Sequence, residues 1–131
     1  MLAQSSTSTR APSGSAATAI AVRASSDGIA ASVDAGDPIC GATTRSYVIG
    51  AMHQAFSMVT TEGIALDAHG TPVDLTIRSF GITPARSFPP VTVEVAASEA
   101  PPVAVGTAAF AAALAAVWLA EGAGPRWPTR R

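Results

Sequence analysis

The sequence predicts an α+β fold: a short antiparallel or mixed sheet with two main helices, near residues 44–60 and 106–121. Apolar residues recur at helical spacing in two stretches, first Val48, Met52, Ala55, Phe56 and Val59, then Phe110, Leu114, Val117 and Trp118. Residues 91–95 read Val-Thr-Val-Glu-Val, a strict alternation that is the clearest strand signal in the chain. Clusters of Gly, Pro, Asp and Ser punctuate the sequence between these stretches.

The chain opens on a Ser/Thr/Ala/Pro/Gly segment whose one charge before residue 17 is Arg10. It lacks the apolar stretch of a secretory signal, so residues 1–17 are expected to be a disordered tail of a cytoplasmic protein. A single α+β domain is expected over residues 18–124, and a basic tail over 125–131. Residues 18–23 alternate weakly, Ser25, Ser26, Asp27 and Gly28 signal a turn, and residues 29–34 read as the returning strand. Asp37-Pro38 breaks that strand ahead of the first helix.

Thr43 or Thr44 offers a hydroxyl to cap this helix. Its second face carries Ser46, Gly50, His53 and Ser57. Glycine inside a helix costs about 1 kcal/mol relative to alanine, so Gly50 needs a reason such as close backbone approach. Beyond it, residues 62–67, a turn at His69-Gly70-Thr71-Pro72 and residues 73–77 suggest a second hairpin. Val103 to Ala120 carries no charge, but most of it is weakly apolar alanine. At about 1.5 Å per residue it would barely cross a bilayer core of about 30 Å. A helix packed closely on a sheet or on another helix explains it better than a membrane span, and Gly122, Gly124 and Pro125 stop it.

Composition narrows the function classes. The chain has 131 residues, 13% charged, with a formal net charge of −1. That balance argues against a nucleic-acid-binding surface. All the basic residues are Arg, and Lys and Asn are absent, a bias of codons in a GC-rich genome. The one cysteine, Cys40, excludes an internal disulfide framework and any Cys-rich metal site, and reads as a small buried residue. His53 and His69 lie on different elements with no further ligands at workable spacing, so each reads as a surface or turn residue and no metal site is expected. No nucleophile elbow, phosphate-binding loop or carboxylate pair stands out.

From Thr44 to Val59 the sequence resembles a segment near the C-terminus of the molybdenum-binding subunit of the xanthine dehydrogenase and aldehyde oxidase family. The family pattern there is roughly Arg-Gly-Gln-x-Glu-Gly-Gly-x-x-Gln-Gly-x-Gly. Arg45, Gly50 and Gln54 match it, and Ala51, Ala55 and Ser57 are small residues where the family has glycines. Tyr47 stands in place of its first Gln and Ile49 in place of its Glu. The order of pieces continues on both sides. Val33-Asp34-Ala35-Gly36 matches a strand ending of Val-Asp-x-Gly, and Phe80-Gly81-Ile82-Thr83-Pro84 occupies the place of Tyr-x-Ile-Pro-Thr.

In that family the equivalent Gln and nearby backbone help to hold the pterin of a molybdopterin-type molybdenum cofactor. The resemblance therefore implies Gly50 and Gln54 as cofactor-binding residues, with the ordinary alternative that Gln54 is a helix-surface amide. Arg45 is read as a solvated residue rather than an anion ligand. The family's catalytic base lies in Gly-x-Gly-Glu-Pro-Pro, and here the sequence is Ser98-Glu99-Ala100-Pro101-Pro102. Glu99 is either that base with one residue inserted or a residue of the preceding loop with the base deleted. The absent glycines favour deletion.

The resemblance spans most of this chain but only the last part of the family's large subunit. A hydroxylase cannot be built from this chain alone, and it lacks the cysteine clusters of an iron–sulfur electron path. Two readings follow. The chain is a split or accessory piece of a molybdenum hydroxylase, sharing its cofactor with a truncated large subunit as partner. Alternatively, it is a non-catalytic structural or interaction module, or a degenerate remnant of that domain.

Overall fold

The computed structural model describes residues 3–10, 17–96 and 98–130. Its elements are strands β1 (Ala3–Arg10), β2 (Ala17–Ser25), β3 (Gly28–Asp34) and β4 (Val91–Val95), and helices α1 (Gly41–Thr60) and α2 (Gly106–Ala120). The four strands form one mixed sheet in the order β1-β2-β3-β4. β1, β2 and β3 pair antiparallel in sequence, and β4 joins β3 in parallel. The predicted α+β class, its hairpin and both helices are therefore found in the structure.

The β2–β3 hairpin turns through Ser26 and Asp27, with Ser25 paired to Gly28. The Asp27 N–H donates to Ser25 Oγ at 3.2 Å, which helps to fix the turn. Ile20, Val22 and Ala24 of β2, Ile29, Ala31 and Val33 of β3, and Val93 of β4 are buried, on alternate positions of their strands. β1 departs from the expectation of a disordered N-terminal tail: Ala3–Arg10 pairs with β2 from Ala24 to Ala17. Its Ser/Thr sequence has no apolar period to read, so pairing with a neighbour decides its state. The remainder of residues 1–16 lies outside the described residues.

α1 starts at Gly41, ahead of the expected first turn, and Cys40 is its N-cap residue without a side-chain cap hydrogen bond. Neither threonine caps it: Thr44 Oγ1 donates back to Cys40 O at 3.2 Å. Val48, Met52, Ala55, Phe56 and Val59 are buried, as the helical period requires. α2 lies against α1, β1 and β2. Its buried face is the alanine face, Ala108, Ala109, Ala112, Ala113 and Ala116, with Val117. Phe110, Leu114 and Trp118 pack at the flank, half-buried. The large residues marked a helix but not its centre of contact, because alanine lets two backbones approach closely.

The second hairpin forms only in part. Leu66 and Pro72 make one isolated antiparallel bridge, and no strand develops on either side. The C-terminal segment, expected as a basic tail, is instead fastened to the body. The Thr129 N–H and Oγ1 both donate to Val59 O, at 2.7 and 3.2 Å, in the last turn of α1. Trp118 Nε1 donates to Gly124 O at 2.8 Å. The Arg130 guanidinium pairs with Glu121 and lies 5.5 Å from the centroid of the Phe56 ring. Among the described residues no helix is long and apolar enough to cross a membrane.

Candidate functional site

The side of α1 away from the core lines an open groove of ≈ 620 Å³. Ala42, Ser46, Gly50 and Gln54 form its ladder, one turn apart, and Gly106 of α2 contributes to its lining. Small residues keep the helix surface low, which leaves room for a ligand against the backbone. An added Cβ on Gly50 would meet nothing within 4 Å, so no packing inside this chain explains the glycine. Gln54 is exposed, and its amide makes no hydrogen bond with a described residue. Its two donors and its acceptor are thus free to serve a ligand.

Tyr47 stands at the junction between this groove and a second, more apolar one of ≈ 610 Å³. Pro38, Ile39 and Cys40 line one part of the second groove, and Pro102 and Val103 belong to the segment leading into α2. Cys40 is exposed here rather than buried. The Thr43 hydroxyl and the backbone N–H groups of Thr43 and Ala42 hold its thiol below the ordinary cysteine range. Donors near the thiol at the start of a helix favour its charged form.

The polar face read from the sequence divides in two. Ser46 and Gly50 belong to the groove, whereas His53 and Ser57 turn toward the segment after the partial hairpin. Thr83 is buried there, and every one of its polar groups is taken by α1 or by Thr61, the residue that ends it. Its N–H donates to Ser57 Oγ at 2.8 Å, its carbonyl lies 2.8 Å from His53 Nε2, and its hydroxyl lies 2.8 Å from Thr61 Oγ1. His53 also meets the Phe88 ring edge-on at 4.9 Å. It is a half-buried fastening and not a surface residue, because Thr83 supplies a partner that its own helix does not reveal. His69 does sit in an exposed turn.

Glu99 is exposed and lines neither groove. Its loop is tied to the end of β3: the Asp37 N–H donates to Ala100 O at 2.7 Å, and the Val103 N–H to Ala35 O at 3.0 Å. Gly36, with φ +75°, makes this fit possible, since a Cβ there would overlap the carbonyl oxygens of Ala100 and Pro101. The structure thus brings Gly50 and Gln54 together and leaves Glu99 apart from them. Arg45 is exposed on the first turns of α1. Sequence reasoning missed Ala42, Tyr47 and Gly106 as groove residues. The four-residue spacing of Ala42, Ser46, Gly50 and Gln54 carried the signal for the first. Among the described residues no group of three or more His, Cys, Asp or Glu can hold a metal ion.

A mixed sheet covered on one face by an alanine-rich helix and a groove-bearing helix is a fold that recurs inside much longer oxidoreductases. The chain superposes on quinoline 2-oxidoreductase from Pseudomonas putida 86 with a TM-score of 0.61 and 20% identity, over 77% of this chain and 14% of that one. It superposes on CO dehydrogenase from Oligotropha carboxidovorans with a TM-score of 0.66 and 16% identity, over 86% and 17% of the two chains. For a Cu,Mo-CO dehydrogenase in its carbon monoxide reduced state the TM-score is 0.55 at 17% identity, over 77% and 14%. At such identities the likeness is one of fold, and this chain spans only 14–17% of the length of these proteins. No protein-family model matches the chain, and comparison of its sequence with curated proteins finds no match.

Proposed function

We propose that this chain is a split or accessory piece of a molybdenum hydroxylase, giving part of a molybdopterin-binding domain to a partner chain that carries the rest. The observation that carries the reading is the groove at Gly50 and Gln54. It lies on the helix whose sequence resembles the pterin-holding segment, within a fold segment like one in a Cu,Mo enzyme. The residues present fit the pterin part of such a cofactor. Gly50 leaves the helix backbone open, Gln54 has an unused amide, and Ser46 adds a hydroxyl.

When bound, the cofactor supplies the redox centre for hydroxylation. This chain's share is to orient its pterin through the Gln54 amide and to present a low, uncluttered surface at Gly50. The remaining walls of the site, the substrate contacts and the electron path belong to the partner. Glu99, exposed outside the groove, has no part in this reading.

The test is recovery of the tagged chain from its native host, with its partner identified and molybdenum measured on the same sample. A molybdenum-bearing large subunit that lacks this segment is the expected companion. Gln54→Ala should then lower cofactor retention while leaving the two chains together. Recovery of the chain alone and metal-free overturns the proposal.

A second reading, a non-catalytic interaction module or degenerate remnant of the same domain, draws on a specific set of side chains. Tyr47 and Ile49 are exposed where the resembling family has Gln and Glu, and Glu99 stands apart from the groove. Under that reading the chain is recovered alone and metal-free, or with a companion whose molybdenum content Gln54→Ala leaves unchanged.

A further inference from the structure

The segment between α1 and the Ala85–Ser87 turn is organised in an unusual way: its polar groups are served from within, and its large aliphatic side chains are not. Its feet are tied together, with the Gly63 N–H donating to Phe80 O at 2.9 Å. Thr83, just beyond, anchors the segment to α1 through Ser57, Thr61 and His53. At the tip, the Asp67 carboxylate accepts from the N–H groups of His69 and Thr71 at 2.8 and 2.9 Å. Asp74 accepts from the Thr76 N–H at 2.8 Å, and the Ser79 hydroxyl donates to Thr76 O at 2.8 Å. These are turn-forming bonds of Asp and Ser with nearby backbone, and they give the excursion a defined shape.

Its apolar side chains face outward. Ile64, Leu66, Val73, Leu75 and Ile77 are each 55–70% exposed, while the body of the protein buries Val22, Val48, Met52 and Val59 completely. The excursion turns at the single bridge between Leu66 and Pro72, and its exposed aliphatic side chains lie on both limbs, Ile64 and Leu66 before the turn and Val73, Leu75 and Ile77 after it. At roughly 100 Å² for each aliphatic side chain, the five present on the order of 500 Å². That is more than half of the ~800 Å² that each side of a stable interface buries.

We infer that residues 63–80 form a docking arm whose exposed aliphatic side chains pack against the polypeptide that completes this fold. The inference rests on the accessory reading above and names the element that makes the contact. The occupant follows from the fold. The solved structures with this fold carry it as 14–17% of a longer chain, so further polypeptide of the same unit is available to lie against the segment.

The experiment compares the tagged full chain with Leu66→Ser/Val73→Ser and, separately, Leu75→Ser. Capture of the molybdenum hydroxylase large subunit from the native host is measured, alongside light scattering and melting temperature of each purified chain. All three are expected to melt alike, because the substituted residues are exposed, and to be monomeric alone. The double variant should lose capture by roughly tenfold or more, with the single variant between it and the parent. Equal capture by parent and variants overturns the arm while leaving the accessory reading intact. A parent dimer that the substitutions dissociate also overturns it, since the occupant is then a second copy. Failure of the parent itself to capture that subunit overturns both.

Discussion

The two sides of α1 follow opposite rules. Toward the core, Val48, Met52, Ala55 and Val59 show no exposure at all, and each is held by the sheet or by the alanine face of α2. Toward the groove, Ser46, Tyr47, Gly50 and Gln54 are exposed and touch little. One side is chosen for filling space and the other for leaving it empty. A helix that needed only to fold would not carry Gly50, which costs about 1 kcal/mol of helix stability and gains no contact in return. The difference teaches that packing among the described residues accounts for one side of the helix and not for the glycine on the other.

The strongest way to break the comparison is on the core side. Met52→Ala should destabilise the chain by about 2–5 kcal/mol, the cost of lost burial plus a cavity among residues that cannot fully close around it. Denaturant unfolding measures this, and a loss below about 1 kcal/mol would mean that the core is far looser than its burial indicates. A smaller effect is expected from Ser57→Ala. It removes the acceptor for the Thr83 N–H in a buried place, so about 1–3 kcal/mol should be lost. Unfolding that is unchanged would show that Thr83 finds another partner.

The smallest effect has the opposite sign and sharpens the comparison most. Gly50→Ala should stabilise the isolated chain by up to about 1 kcal/mol, because helix propensity improves and the new methyl meets open space. If the proposed accessory reading holds, the same substitution should lower molybdenum retention in the complex with the partner chain. A change that helps the chain alone and harms the complex separates the groove from the core. If both measurements move together, Gly50 has no such role.

Most of the body was legible in the sequence. The Ser25–Gly28 turn chemistry, the alternation of β4 and the periods of both helices are local signals, and the structure follows them. What escaped depends on partners far along the chain. β1 has no apolar period and exists through its ladder with β2. Thr129 and Arg130 read as an end of the chain until Val59 and Glu121 receive them. Residues 73–77 have the alternation of a strand but no neighbour to pair with, so the hairpin stops after one bridge. Gly50 and Gln54 were visible as small and polar positions one turn apart, but the openness of their groove follows from where α2 begins.

Thr83 binds the root of the arm to the same helix that carries the groove, and a helix is a ruler. Gln54 and Ser57 are separated by three steps of about 1.5 Å, with about 100° of rotation at each. A companion that grips the arm and closes over Gln54 must match both the distance and the angle. One residue inserted between those positions would leave each contact surface chemically whole and turn them by about 100° relative to one another. On that proposal, an insertion in this helix should disrupt the assembly more than an exposed substitution does.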